Sequence, residues 1–170
     1  MKKILIPTDF TLESLKLAEH AIELYPGEVV SLVLVYPYRF SLWEGELYTF
    51  SPSTKIAECT TDEFSVARND LINRYFKNIN AIELELFTGV NSLAFENFKE
   101  YHNIQTAILP QKKFLDTPLH ETADLFNFIQ KCVPKVHTLA IEKEGAPEVS
   151  AAKMESGILN TIKKAFQALG

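Results

Sequence analysis

The sequence predicts an α/β fold: a doubly wound five-stranded parallel sheet sandwiched by helices, followed by a C-terminal amphipathic helix. Three features predict it. Short apolar runs alternate with helix-period segments in the order β-α-β-α-β-α-β-α-β, as a parallel sheet with helical crossovers requires. The second run, 29–36, is almost wholly apolar, as a strand covered on both faces should be. The first run ends in Pro7-Thr8-Asp9 and a helix starts directly after it. That puts a hydroxyl and a carboxylate at the carboxyl end of a strand, where open α/β sheets bind ligands.

The elements follow in order. Segment 3–7 reads as a buried strand. Thr11 is a helix N-cap, and Leu15, Ala18, Ile22 and Tyr25 then share one face until Pro26-Gly27 stops the helix. Beyond strand 29–36, residues 37–53 read as a loop or irregular insertion rich in aromatics. Tyr36, Tyr38, Phe40, Trp43, Tyr48 and Phe50 fall in or beside it. These rings either pack locally, fill a pocket, or line a site for a flat or apolar ligand with the help of Arg39. Thr61, Asp62 and Glu63 open the next helix, whose face is Phe64, Ala67, Leu71, Ile72, Tyr75 and Phe76. Segment 81–88 sets Ile82, Leu84 and Leu86 against Glu83 and Glu85, the pattern of a strand with one partly wet face near an edge. Gly89 ends it.

Asn91 caps a helix through Tyr101, with Ala94, Phe98 and Tyr101 inward. Segment 104–109 is the fourth strand and 110–116 a polar loop. Thr117-Pro118 reads as N-cap plus first-turn proline of a helix to Cys132, which buries Leu125, Ile129 and Cys132. Segment 136–142 is the fifth strand, placed at an edge. Right-handed crossovers then wind helices onto both faces. The α/β domain thus covers 1–142, a Gly, Pro and charge-rich linker 143–152, and the terminal helix 153–170. Met154, Ile158, Ile162, Ala165, Phe166 and Leu169 share a face of that helix, which packs on its own domain or on a protein partner.

Composition narrows the function. The chain has 170 residues, a hydrophobic fraction of 46% and a net charge of −5. With no basic tract it offers no counterion release, which argues against nucleic-acid partners. Pro7 and Asp9 interrupt the first apolar run well short of a signal peptide, and no stretch approaches the ~20 apolar residues of a membrane span. A cytoplasmic protein with no membrane partner is expected. Cys59 and Cys132 fit no metal spacing, with Cys132 in the core and Cys59 in a flexible stretch. His20 and His102 read as solvated or capping residues of helices, and His137 lies in the last strand. His120, beside Glu121 and Asp124, belongs to an acidic first turn. No pair of histidines has metal-site spacing, and no catalytic triad can be assembled. No catalytic residue, metal or cofactor is therefore expected.

Several stretches resemble the universal stress protein family across 2–142. Pro7-Thr8-Asp9-Phe10 with Ser14 is similar to that family's "PTDFSxxS". Segment 30–36 resembles its second strand, 85–89 its third strand with closing Gly89, and 100–109 its "EEHDADLIVM". The resemblance implies an adenine nucleotide alpha hydrolase-like fold, a role in stress response, and a homodimer formed through the last strand. It also implies a residual nucleotide-like pocket of Thr8, Asp9, Val35, Gly89 and Leu109. Thr8 and Asp9 would sit near ribose and adenine, Val35 would offer backbone groups, and Leu109 would flank the phosphates.

The chain departs from the family at one motif. ATP-binding members hold phosphate with a G-x-x-G-x9-G-[S/T] loop after strand four. The corresponding positions are Pro110, Lys113 and Ala123-Asp124. Glycines let several N–H groups converge on phosphate, whereas proline removes a donor and fixes φ. Asp124 brings a carboxylate in place of a hydroxyl, and Lys112 and Lys113 compensate only as point charges. Each backbone donor lost to a charged phosphate costs about 1.5–3 kcal/mol. The expectation is a regulatory or interaction module without ATP or catalysis. The alternative is a nucleoside-like or ATP ligand sensor at the carboxyl ends of strands one and four.

Overall fold

In the computed structural model, residues 2–40, 49–111 and 119–140 are described, side chains of 119–123 excepted. The elements are β1 (Lys2–Pro7), α1 (Leu12–Glu23), β2 (Val30–Pro37), α2 (Pro52–Cys59), α3 (Asp62–Arg74), β3 (Ile79–Phe87), α4 (Ser92–Tyr101), β4 (Thr106–Pro110), α5 (Leu119–Cys132) and β5 (Lys135–Leu139). All five strands pair in parallel in the order β3-β2-β1-β4-β5. The predicted sheet is therefore present, with β3 and β5 at its edges. Order reverses between β1 and β4, the position where such sheets open a crevice.

The period of two along each strand divides the core. Ile4, Ile6, Leu32, Leu34 and Ile108 pack on one face with Leu15, Leu17 and Ile22 of α1 and with Phe64 and Leu71 of α3. Leu5, Val33, Val35, Ala107 and Leu109 face the other way, onto Phe95 of α4 and Leu125 and Ile129 of α5. Helices thus cover both faces. The caps are those the sequence signals: Thr11, Thr61 and Asn91 accept the N–H of Ser14, Phe64 and Ala94. Gly27, with φ +81°, supplies the left-handed residue after α1.

Five local expectations are corrected. Part of the segment between β2 and α3 is helical, since Ser51 and Pro52 cap and start α2. Cys59 is therefore the last residue of a helix, half-buried against the core, and not part of a flexible stretch. Phe76 lies beyond the end of α3 and is 66% exposed. In α4 the inward stripe is Phe95, Phe98 and His102, while Tyr101 is 86% exposed. The aromatic cluster sets that phase. Phe95 meets Phe87 edge-on at 5.3 Å and stacks with Phe98 and Phe128 at 6.2 Å. His102 is accordingly buried, not solvated, although its N–H does cap α4 through Phe98 O. Cys132 is half-buried, and burial, with Glu96 nearby, pushes its thiol above the usual range. The last residues of the expected fifth strand, the linker and the terminal helix lie outside the described residues.

Candidate functional site

The carboxyl end of the sheet is built where β1 runs out. Thr8 N–H donates to Val35 O at 2.9 Å and extends the β1–β2 ladder by one residue. Thr8 is fully buried, its Oγ1 2.8 Å from Ser14 Oγ and accepting the Phe10 N–H at 3.0 Å. Asp9 Oδ1 accepts from Thr11 twice, from N–H at 3.1 Å and from Oγ1 at 2.6 Å. These bonds hold Phe10 at φ +60°, in the left-handed region that non-glycine residues rarely enter. The turn drives the Phe10 ring into the core, stacked on Tyr36 at 5.2 Å and edge-on to Phe64 at 5.6 Å.

The structure brings Thr8, Asp9 and Val35 together at this end. Leu109 lies near the end of β4, fully buried in the same α4–α5 face cluster that holds Val35. Gly89 sits beyond β3, where a Cβ would come within 2.6–2.7 Å of the Phe87 ring and the Ala94 side chain. Only glycine fits that approach. Gly89 lines a void of about 10 Å³ with Pro37, Arg39, Phe87, Asp124 and Phe128, room for a single water. Arg39, leaving β2, forms an ion pair with Asp124 of α5 across this void. Asp124 thus turns to an internal cation. Sequence reasoning placed both residues near this end without pairing them, since they lie 85 residues apart.

The backbone leaving β4 is also committed. Pro110 is buried and has no N–H to offer, and Gln111 N–H donates to Leu139 O of β5 at 2.7 Å. The last residue of β4 and the one after it therefore extend the sheet and present no backbone N–H toward the carboxyl end.

The described part of the aromatic segment packs on itself. Tyr38 stacks on Phe50 at 5.5 Å, and Phe40 meets Phe50 edge-on at 4.6 Å. Lys55 lies over Tyr38, 5.3 Å from its centroid, and pairs with Glu58 at 3.2 Å, a hydrogen bond that raises its pKa. A shallow cavity of about 150 Å³ lies beside Tyr38, Phe50, Lys55 and Glu58. Trp43 and Tyr48 lie outside the described residues. At the opposite end of the sheet, His137 Nε2 is 3.2 Å from the Tyr25 hydroxyl, and Lys2 sits 3.7 Å over the Tyr25 ring. His20 pairs with Glu23 on the surface of α1.

Comparison with solved structures gives this architecture its class. The hypothetical protein PH0823 superposes with a TM-score of 0.51 at 18% identity, over 85% of this chain and 99% of its own. The hypothetical protein MJ0577, whose biochemical function was assigned from its structure, gives 0.55 at 16%, over 84% and 98%. A protein from the universal stress protein family of Burkholderia pseudomallei gives 0.48 at 15%, over 82% and 96%. The chain has the universal stress protein fold. No protein-family model and no curated protein matches its sequence. Among the described residues, no helix is long and apolar enough to cross a membrane.

Proposed function

We propose that this chain is a divergent universal stress protein that acts in stress response as a cytoplasmic regulatory or interaction module, without binding ATP and without a catalytic step. The backbone after β4 carries this reading. Where the phosphate loop of ATP-binding members would begin, Pro110 has no donor and Gln111 spends its own on Leu139. The Arg39–Asp124 pair and the single-water void beside Gly89 support it, because a nucleotide there would need both groups to part. β5 stands at a sheet edge, and an exposed edge invites a second chain. A homodimer through β5 is therefore part of the proposal, and the terminal helix is its candidate surface for a protein partner.

The test is a calorimetric titration of the full chain with Mg-ATP and, separately, adenosine. No saturable heat is expected from either up to about 1 mM, the limit of useful affinity. Micromolar ATP binding overturns the reading and makes the protein a nucleotide-dependent switch. Adenosine binding without ATP binding replaces it with a sensor of nucleoside-like ligands. Light scattering that reports a monomer removes the dimer.

A further inference from the structure

We propose that Glu83, Glu85 and His102 form a site for one divalent transition-metal cation of the Zn2+ class, which clips the end of α4 to the edge strand β3. Glu83 and Glu85 are two apart on β3 and so project on the same face. α4 runs back along the sheet and its cap, His102, arrives over that face. The closest donor atoms of the three side chains all lie within 4.8 Å of one another. The cluster stands on the α4–α5 face, is built from none of the carboxyl-end residues, and does not depend on the function proposed above.

Two independent observations point to a ligand. His102 is 7% exposed, and the polar contact its ring makes among the described residues is with Glu83. Its Nδ1 faces Glu83 Oε2 at 3.9 Å, beyond hydrogen-bond reach. The imidazole is held in place by Phe98 and Tyr101, 4.4 and 4.9 Å between centroids. Second, the charge is under-compensated. Two half-buried carboxylates stand side by side, which like-charge repulsion disfavours. Lys3 Nζ reaches Glu83 at 3.1 and 3.2 Å, and Glu85 has no ion pair or hydrogen bond among the described residues.

The donor set selects the cation. One imidazole nitrogen and two carboxylate oxygens suit Zn2+, Co2+, Fe2+ or Mn2+, whereas Ca2+ and Mg2+ prefer oxygen alone. Zinc bonds of about 2.0–2.2 Å place tetrahedral donors about 3.3 Å apart. The glutamates close that gap by torsions of their flexible side chains. Three protein ligands leave a fourth position for water. Lys3 competes for Glu83, which keeps the affinity moderate.

Titration of the full chain with Zn2+, and with Co2+ followed by its visible absorption, tests the site. One ion per chain with micromolar affinity is expected. Glu85→Gln and His102→Asn should each weaken it by about tenfold or more, the usual scale for disturbing a metal site. Circular dichroism checks that both variants fold. If His102→Asn does not fold, Glu85→Gln decides alone, because the Glu85 side chain has no hydrogen bond or ion pair among the described residues and glutamine keeps its shape. Absence of binding by the wild-type chain overturns the proposal, as does equal affinity in wild type and Glu85→Gln, which would place the ion elsewhere, for example at the exposed His20–Glu23 pair.

Discussion

Thr8, Asp9, Arg39 and Asp124 at the carboxyl end of the sheet all have partners inside the chain, whereas Glu83, Glu85 and His102 on the outer face of β3 mostly face one another. The first group lies at the carboxyl end beside the β1–β4 switch point, where open α/β sheets bind ligands. The second lies on edge strand β3 and at the end of α4. A buried polar group costs free energy unless it is paired. At the carboxyl end the chain meets that cost internally among the described residues. On β3 two half-buried carboxylates stand side by side, and Lys3 offsets one of them. If the metal site on β3 holds, binding in this chain follows the charge of clustered side chains rather than the position at which open sheets customarily bind.

The largest break in this comparison comes from Phe95→Ala. The ring anchors α4 against Phe87 and Phe128, and the position of His102 depends on that anchor. Removing a fully buried phenylalanine should cost about 3–5 kcal/mol, read from urea denaturation. Zn2+ binding should fall with it if α4 carries His102 to the glutamates. A loss under about 1 kcal/mol would mean that the aromatic cluster does not set the phase of the helix.

Thr8→Val sharpens the other side. Valine keeps the volume but strips the hydroxyl that pairs with Ser14 and accepts from Phe10. A buried N–H left without its acceptor costs about 1–3 kcal/mol, and Thr8→Ser should recover most of it. Equal stability of the valine variant would show that Phe10 holds its left-handed turn without Thr8. The internal pairing at this end would then carry less than the comparison assigns to it.

Features governed by local periodicity were legible in the sequence. The unbroken apolar runs of β1 and β2 foretell two core faces, and Glu83 and Glu85 foretell the edge position of β3. What escaped depends on partners distant in the chain. Helix α2 buries no residue and so has no apolar stripe to read, although Ser51-Pro52 gives the same start signal as Thr117-Pro118. Tyr101 and Phe95 are both plausible inward residues of α4 by spacing, and only the rings on β3 and α5 choose between them. The spacing of histidines alone hides His102, because its neighbours are glutamates on a strand rather than a second histidine on its own helix. The missing glycines after β4 are visible in the sequence, but that Gln111 bonds to Leu139 is not.

The smallest expected effect belongs to Arg39 and Asp124, and it tests how closed the carboxyl end is. Both side chains are about one-third exposed, at 34% and 39%. Water and salt therefore screen the pair, and a double-mutant cycle with Arg39→Met and Asp124→Asn should give a coupling of about 0.2–1 kcal/mol that shrinks as salt is added. A coupling above about 2 kcal/mol would mean a drier end than the exposure implies, with the pair as a latch across it. Zero coupling, with no response to salt, would mean that Arg39 does not hold Asp124. A carboxylate would then stand free where phosphate loops place a hydroxyl. Nucleotide would still be disfavoured, but by repulsion from Asp124 rather than by an end already satisfied from within, and the contrast with β3 would rest on Thr8 and Asp9 alone.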